Sequence, residues 1–384
     1  MKKLLSSLVA ILTLASLGAC GGGGAEPQAP QAVIAPTILQ QPQTTITKAR
    51  VVPTLLHGAY AEFEVAGNPL RSFQLTAGAF TDIAEKTCSG GTSYAQNKQT
   101  GLLEIYCLNG STFRYNTETR VLAPGAAIPK SKPYLPSSAC ADDGTCFFGD
   151  GYYLTAHFPS VARVHMVDVY GNFIDTREFP DENQMRVPRK MGVVRLSNGR
   201  ETLVAVSVGF VSNDIAIHRF DVATKKFVGT ACTIKAEQES IDIGQKYVVL
   251  TLRRGVTGNE SDALVIDPET CTTMATPRIP VDTVGVPIAH FAVQSDDAIY
   301  LGGGSEWTTP AGPFGVWKFD IKSFQNTGFL PTTSHVFAGV FEKGRGKLWV
   351  ATKGNEVLEV DAATMATTRI VSEPLYGGDM FLAE

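Results

Sequence analysis

The feature that most constrains the fold of this chain is a short motif that recurs seven times after residue 45. Each copy is a β-rich run that ends in an acidic residue or Asn and passes into a turn, as in Val265-Ile266-Asp267-Pro268-Glu269-Thr270. The residues that end the runs are Glu64, Asn116, Asp168, Asp221, Asp267, Asp320 and Asp361. They lie 41 to 53 residues apart, so one structural unit of roughly 40–50 residues is repeated along the chain.

The chemistry of the motif predicts a hairpin within each repeat. An Asp or Asn side chain at the end of a strand can accept hydrogen bonds from backbone N–H groups two residues on, and so close a tight turn. A second turn signal precedes most copies: Gly149-Asp150-Gly151, Ser197-Asn198-Gly199, Ser295-Asp296-Asp297 and Lys343-Gly344-Arg345-Gly346. We expect these upstream turns to join strands A and B of a repeat, and the motif turns to join strands C and D.

Seven repeats of four strands predict an all-β fold, a seven-bladed β-propeller of four-stranded antiparallel blades over residues 46–384. Helical periodicity is absent over any long window. A stack of two β-sandwiches is the alternative, although seven regular copies fit it poorly. The first copy, near 46–75, lacks room for a strand A, and residues 378–384 resemble a lone strand. Pairing the two would close the ring and leave no unpaired edge.

The repeated turn resembles that of YVTN-type and lactonase-type propellers, whose blades carry a similar V-x-D-x-x-T pattern, over most of residues 46–384. The lactonase resemblance implies acidic and amide ligands around the central channel, and we do not assemble such a cluster from this sequence. Quinoprotein-like repeats would add Gly and Trp after the turn, where this chain has Lys225 and Met365. That departure argues against a quinone cofactor or an outer-membrane assembly factor of that kind.

Residues 1–19 have the pattern of a lipoprotein signal peptide. Met1-Lys2-Lys3 is a positive segment, and the apolar run Leu4–Leu17 is short for a permanent transmembrane helix. The run ends in Leu17-Gly18-Ala19-Cys20, which resembles the bacterial lipobox, in which the cysteine is diacylated and becomes the mature N-terminus. An ordinary secretory signal with an incidental cysteine is the alternative. The resemblance implies lipidation, for example by palmitate, at Cys20.

Residues 20–45 predict a flexible tether. Four glycines follow Cys20, and the rest is dominated by Pro, Gln and Ala with hardly a charge, so the segment cannot bury enough apolar surface to fold. Gly21 is not the aspartate that often retains enterobacterial lipoproteins in the inner membrane. We therefore expect a cell-envelope protein that is lipid-anchored in the outer membrane, with the domain in the periplasm or facing the medium.

Composition excludes several functions. The formal net charge is −4 and becomes more negative without Lys2 and Lys3, so the chain has no electrostatic footprint for nucleic acid. No G-x-S-x-G, H-E-x-x-H or phosphate-cradling glycine loop is present. We therefore predict no cofactor, no metal and no catalytic residue from motifs.

The six cysteines besides Cys20 predict disulfides in an oxidising compartment. Cys88 precedes strand A of the second blade and Cys107 ends its strand B, at one face, so they can meet. Cys140 and Cys146 bracket a small ring in the loop that enters the third blade, which we place at the same face. A zinc site is the alternative, but no C-x-x-C spacing exists.

Cys232 and Cys271 are paired by elimination. They lie 11 and 4 residues past their motif aspartates, which in regular strands separates them in height by up to ~23 Å. Disulfide Cα atoms lie within about 7 Å, so the turn at 268–273 would have to bend for them to pair.

Five residues are candidate ligand-binding residues: His290, His335, Arg253, Arg254 and Trp307. The two histidines open predicted A strands of neighbouring blades and could face one funnel. As metal ligands they would need a third partner, which Glu237 or Glu239 could supply; ordinary backbone-bonded histidines are the alternative.

Two further features complete the candidate site. Arg189, Lys190, Arg253 and Arg254, on loops predicted to reach the same face, would form with His290 a basic rim suited to an anion, or a solvated surface. Trp307, in the Gly- and Pro-rich loop 302–315, is a binding anchor or packs on its own blade.

The sequence thus favours an envelope-anchored propeller that acts as a binding or scaffold module, with a protein or small ligand on one face. The alternative is a lactonase- or lyase-like enzyme with a metal in the central channel, motivated by His290 and His335. A surface-displayed adhesin is a third hypothesis.

Overall fold

The structure, a computed structural model, describes residues 46–57, 70–77, 80–84, 88, 92–129, 136–151, 162–180, 186–209, 214–236, 238–252, 262–280, 288–304, 313–372 and 380–384. The predicted signal peptide 1–19, the lipidated Cys20 and the tether 20–45 lie outside these residues. So do Glu64, Glu237, Arg253, Arg254 and Trp307.

The described residues form β-strands and turns, without a helix. The strands are β1 (Thr54–His57), β2 (Leu70–Gln74), β3 (Thr81–Ala84), β4 (Thr92–Gln96), β5 (Leu103–Cys107), β6 (Thr112–Asn116), β7 (Val121–Pro124), β8 (Ser137–Cys140), β9 (Cys146–Asp150), β10 (Arg163–Val167), β11 (Phe173–Glu178), β12 (Arg186–Arg195), β13 (Glu201–Gly209), β14 (Asp214–Asp221), β15 (Lys226–Phe227), β16 (Cys232–Lys235), β17 (Gln238–Ile243), β18 (Val248–Leu252), β19 (Ala263–Asp267), β20 (Thr272–Ala275), β21 (Ile288–Gln294), β22 (Ala298–Gly304), β23 (Phe314–Asp320), β24 (Asn326–Thr332), β25 (Val336–Glu342), β26 (Lys347–Thr352), β27 (Glu356–Asp361), β28 (Ala366–Ser372) and β29 (Met380–Ala383).

The strands form seven antiparallel sheets, and the predicted seven-bladed β-propeller is confirmed. Ordered from the innermost strand A to the outermost strand D, blade 1 is β29-β1-β2-β3 and blade 2 is β4 to β7. Blade 3 is β8 to β11, blade 5 is β17 to β20, blade 6 is β21 to β24, and blade 7 is β25 to β28. Blade 4 (β12 to β16) has a divided outer strand, because β15 and β16 both pair with β14.

Blade 1 closes the ring with strands from both ends of the described chain. The strand β29 pairs antiparallel with β1, with Met380 opposite His57 and Ala383 opposite Thr54. The expectation that the last strand completes the first blade is therefore confirmed. Closure matters energetically because it pairs the backbone groups of an edge strand that would otherwise be open.

In blades 2 to 7 the repeated motif closes the C–D turn as its chemistry predicts. The first copy was misplaced: Glu64 precedes β2, which is strand C of blade 1, so it does not lie at the C–D turn between β2 and β3. The side-chain Oδ1 of Asp361 accepts from the backbone N–H of Ala363 and Thr364, and Asp320 does the same with Lys322 and Ser323. The N–H of Thr364, the ammonium of Lys347 and the Thr364 hydroxyl are the main causes that lower the pKa of Asp361 to about 2.

A second, backbone feature recurs in these turns. The N–H four residues after the motif residue donates to its carbonyl in five copies, and the donating residue has a positive φ. These residues are Arg120, Lys225, Cys271, Phe324 and Met365. A non-glycine residue in this region is uncommon, and its recurrence shows that the turn geometry overrides the local preference.

The hydrophobic core lies in the seams between neighbouring blades. Trp349 of blade 7 packs on Phe73 of blade 1, with ring centroids 5.8 Å apart. Phe147 of blade 3 packs on Phe220 of blade 4 at the same centroid distance. Because each cluster draws on two blades, a blade buries its apolar faces only within the complete ring.

The A–B and C–D turns share one face of the propeller, called the turn face below; strands A begin and strands B end at the opposite face, the loop face. Polar contacts at the turn-face ends of the blades cross all seven seams. In order from the seam of blades 1 and 2 they are Gln96–Glu384, Lys98–Asp142, Arg195–Asp142, Ser197–Glu269, Gln294–Asp242, Lys343–Asp296 and Lys343–Glu384. These contacts supplement the apolar seams at the turn face.

The structure contains the three predicted disulfides, Cys88–Cys107, Cys140–Cys146 and Cys232–Cys271, with Cα separations of 5.3, 4.1 and 5.6 Å. Two details of the prediction were wrong. Residues 141–145 form the A–B turn of blade 3, so the Cys140–Cys146 ring lies at the turn face rather than beside Cys88. The signal at Gly149–Gly151 instead ends strand B.

The expected separation of Cys232 and Cys271 along the channel axis was also wrong, for a physical reason. That expectation assumed that strands C and D run parallel to the axis. Sheets twist by roughly 20–25° per strand, so the outermost strand is rotated by about 60–75° from strand A. Residue number along strand D is therefore not a measure of height. In blade 4, the division of strand D after Phe227 lets β16 begin at Cys232, opposite Ile217.

Candidate functional site

The central channel is a cavity that could hold a ligand. Strands A of all seven blades line it, and it has a volume of about 430 Å³. That volume lies within the range of small-molecule pockets, roughly 300–1,000 Å³. Because strand side chains alternate between faces, every second residue of each inner strand can face this space.

Glycines on the inner strands let large neighbours pack beside them. A Cβ at Gly339 would lie 2.5 Å from Cε2 of Phe291, and one at Gly244 would lie 2.7 Å from Cδ of Gln294. Both approaches are closer than real Cβ contacts permit, so a larger residue at either position would displace the neighbouring side chain. Gly244 in particular makes room for the Gln294 side chain, which fixes a charged group.

Lys190 and Asp242 are the charged residues among those that line the described channel, on strands β12 and β17 of adjacent blades. Gln294, on β21 of the next blade, donates from Nε2 to Oδ2 of Asp242 at 2.8 Å and to the Tyr247 carbonyl at 3.0 Å. Burial between the inner strands raises the pKa of Asp242, although the Gln294 hydrogen bond and the charge of Lys190 act to lower it. Within the described part of the chain, Lys190 makes no hydrogen bond or ion pair.

The opposite wall of the channel is aromatic. Phe341 on β25 and Phe381 on β29 line the cavity from blades 7 and 1. In the ring of seven blades Phe381 lies three blades from both Lys190 and Asp242, and Phe341 lies three blades from Lys190 and two from Asp242. Both rings are therefore across the channel from Lys190. Both side chains are half-buried, and Phe381 stacks on Tyr94 of blade 2 with centroids 5.8 Å apart. The channel is therefore charged on one side and aromatic on the other.

Hydroxyls extend the polar side of the channel. Ser93 of blade 2 and Ser138 of blade 3 both line it, and their Oγ atoms are 2.9 Å apart. A hydroxyl can donate and accept, so this pair can turn toward either kind of ligand atom. Polar groups therefore line the wall from blade 2 to blade 6, where Gln294 lies.

The inner strands of four consecutive blades contain a β-bulge. The register shifts on β12, β17, β21 and β25 lie at Arg189, at 239–240, at His290 and at Phe337. Bulges re-aim side chains and are over-represented next to functional sites. The four bulges lie toward the starts of these strands, and so toward the loop face.

The structure brings His290 and His335 together, with ring centroids 4.2 Å apart. His335 is buried and also contacts the ring of Phe314 at 5.8 Å. Neither histidine belongs to the lining of the channel cavity. No group of three or more His, Cys, Asp or Glu residues that could hold a metal occurs among the described residues. The possible third ligand Glu237 lies outside them.

The predicted basic rim is placed differently. Arg189 and Lys190 lie within strand β12 rather than on a loop, and Lys190 lines the channel itself. Residues 187–194 are extended throughout, so the inner strand β12 includes both Arg189 and Lys190. Arg253, Arg254 and Trp307 stay predictions, since the structure does not describe them.

The sequence reasoning missed Asp242. The sequence feature that marks Asp242 is its position between two isoleucines, in Ile241-Asp242-Ile243-Gly244, within a predicted strand. An aspartate inside a strand is unfavourable, so this position could have been identified by aligning the predicted A strands. Its proximity to Lys190, 52 residues away in sequence, depends on the closed ring.

Comparisons with known proteins identify the architecture. No protein-family model matches the sequence, and no curated protein matches it. A proposed 6-phosphogluconolactonase from Bacteroides fragilis NCTC 9343 superposes with a TM-score of 0.54 at 14% identity, over 86% of this chain and 98% of that one. Hydrazine synthase of Kuenenia stuttgartiensis gives 0.52 at 15% identity, over 71% and 77%.

The dihydro-heme d1 dehydrogenase NirN, in complex with DHE, gives a TM-score of 0.52 at 13% identity, over 87% of this chain and 66% of that one. At such identities the similarity shows the fold alone, and the fold hosts unrelated chemistry. The chain is a seven-bladed β-propeller, structurally similar to a protein proposed to be a lactonase. Among the described residues there is no helix long and apolar enough to cross a membrane.

Proposed function

We propose that this protein is an exported, lipid-tethered propeller that binds a small ligand in its central channel. The observation that carries the proposal is the two-sided channel, with Lys190 and Asp242 facing Phe341 and Phe381. A concave site with a few convergent polar groups on an apolar wall is the usual form of a small-molecule site. The hydrogen bond from Gln294 holds the Asp242 carboxyl in place before a ligand arrives, which reduces the cost of binding.

Export and anchoring rest on separate observations. Three disulfides suit an oxidising compartment. The apolar run Leu4–Leu17 followed by Gly18-Ala19-Cys20 supports processing to a lipidated cysteine in the bacterial envelope, with the outer membrane as the proposed destination. In producing cells, labelled palmitate should enter the wild type and not a Cys20→Ala variant. Equal labelling of both would refute the anchor and leave the channel proposal untouched.

The binding function is tested by what the protein carries when it is isolated. The full chain, extracted with detergent from the producing organism, is denatured, and released small molecules are identified by mass spectrometry. We expect one compound at near-stoichiometric amount, reduced at least tenfold in Lys190→Met and Asp242→Asn variants. The matched controls Lys226→Met and Asp175→Asn change the same residue types on outer strands and should retain it. Loss in neither channel variant would refute the channel as the site.

A metal-dependent lactonase or lyase is the second candidate function, favoured by the contact between His290 and His335. Two imidazoles can supply part of a coordination shell, to which Glu237 or Glu239 could add a carboxylate. Metal analysis of purified, untagged protein distinguishes the candidates. A stoichiometric divalent ion that is lost in a His290→Ala/His335→Ala double variant would support the enzyme and count against a purely binding role.

A further inference from the structure

The charges in the channel constrain the kind of ligand that fits it. Lys190 and Asp242 face one cavity from adjacent blades, near enough for the lysine charge to act on the carboxyl, yet they form no ion pair. A charge in a confined, partly apolar space is costly unless it meets an opposite charge. One molecule that has both a cation and an anion would satisfy the two residues at once.

The carboxyl of Asp242 is held ready for such a molecule. Gln294 bonds one of its oxygens, Tyr247 accepts from the same amide, and Gly244 leaves the space in which that amide lies. The backbone of Gln294 and of Ile243 also hydrogen-bonds the carboxyl, so its position is fixed from two blades. An ammonium group has three donors, and a charge-assisted bond to a fixed carboxylate is stronger than a bond between neutral groups.

The aromatic wall constrains the remainder of the ligand. Phe341 and Phe381 lie across the channel from Lys190, two and three blades from Asp242, and present apolar surface to the cavity. A ligand whose charged end lies at Asp242 and Lys190 therefore directs its other end at phenyl rings. A neutral polyol would leave Lys190 without a counter-charge, so these lining residues favour a zwitterion with an apolar substituent.

We propose that the channel binds a free amino acid with an apolar side chain, its ammonium at Asp242, its carboxylate at Lys190 and its side chain against Phe341 and Phe381. The proposal rests on the proposed binding function and specifies the ligand for that same channel. Gln294 acts as a positioning residue for the Asp242 carboxyl.

Isothermal titration of the full chain, freed of endogenous ligand, tests this proposal. The probes are L-leucine, L-phenylalanine, N-acetyl-L-leucine, L-leucinamide and D-glucose. We expect one or both free amino acids to bind, and the acetylated and amidated forms to bind at least tenfold more weakly, because each lacks one charge. Equal affinity for leucine and both blocked forms would overturn the proposal.

Two variants assign each charge to its partner. Asp242→Asn should lose most of the preference for L-leucine over its N-acetyl form, and Lys190→Met should lose most of the preference over leucinamide. Lys226→Met and Asp175→Asn should keep both preferences. A merely structural role would lower all affinities together without changing these ratios, and that result would overturn the assignment.

The same experiments separate this proposal from the proposed function. Binding of D-glucose, or recovery of a non-zwitterionic compound that the channel variants lose, would refute the ligand class while leaving channel binding in place. Absence of any bound compound, together with no binding of any probe, would refute both.

Discussion

Replacing His218 with Gln should remove part of the acid sensitivity of the folded domain. His218 lies on β14, is only 3% exposed, shares a hydrogen bond of 3.0 Å with Ser207 and lies 4.7 Å from the ring of Phe179. Burial, followed by the nearby charge of Arg186, lowers its pKa from 6.5 to about 4. Because the folded pKa is the lower one, protons bind the unfolded chain more readily. The associated stability is complete above about pH 6.5 and is lost as the pH falls toward 4.

The magnitude follows from these two pKa values. Between pH 7 and pH 4.5, preferential protonation of the unfolded state costs about 2 kcal/mol of folding stability. For a domain of about 340 residues, an unfolding entropy of roughly 2 cal/mol/K per residue converts this into about 3 °C of melting temperature. Other groups also titrate in this range, so the quantity to measure is the difference between two proteins.

The assay is thermal unfolding followed by circular dichroism at pH 7 and pH 4.5 for the wild type and His218→Gln. Glutamine keeps a group that can bond Ser207 and does not titrate. The variant is expected to be less stable at pH 7, yet its melting temperature should fall by about 3 °C less on acidification. Equal decreases in the two proteins would refute the reasoning that buried His218 resists protonation.

Three further outcomes follow from the fold. Deleting residues 380–384 removes the inner strand of blade 1 and the Glu384 contacts, so cooperative melting should be lost and trypsin cleavage accelerated; an unchanged melting curve would show that the ring does not need this strand. Phe73→Ala opens a cavity beside Trp349 in a fully buried seam, and chemical denaturation should show a loss of about 3–5 kcal/mol, whereas a loss below about 1 kcal/mol would contradict the seam packing. Lys225→Gly relieves a positive φ of 54° in the C–D turn of blade 4 and should raise stability by up to about 1 kcal/mol. Chemical denaturation measures this change, and a decrease in stability would contradict the prediction.

The turns show which parts of this fold are local enough to be predicted. Asp320 and Asp361 bond backbone groups two and three residues away, so the hairpin is encoded in a short window of sequence. The predicted A–B turn of blade 3 was misplaced because a similar short signal occurs at the end of a different strand. Strand β8 has only four residues, and the signal at Gly149–Gly151 resembled the other upstream turns while ending a different strand.

The candidate site was less accessible to prediction, because its residues meet only through the ring. His290 and His335 were expected to share a funnel, and they do come into contact, although the channel lining does not include them. Lys190 was assigned to a loop rim and instead lies in an inner strand. Asp242 has no motif around it, and its significance depends on Lys190 and Gln294, which come from the blades on either side.

The sequence by itself determined the number of blades, the C–D turns of blades 2 to 7 and the strand that closes the ring, because each follows from a repeated local pattern of hydrogen-bonding and apolar residues. Tertiary structure decided the rest. The packing of blade 4 on blade 5 brought Cys232 to Cys271, and the arrangement of seven blades around one axis placed Lys190 across the channel from Phe341 and Phe381. Those relations join residues tens of positions apart, and their distances are set by the packing of whole blades rather than by any neighbour in the chain.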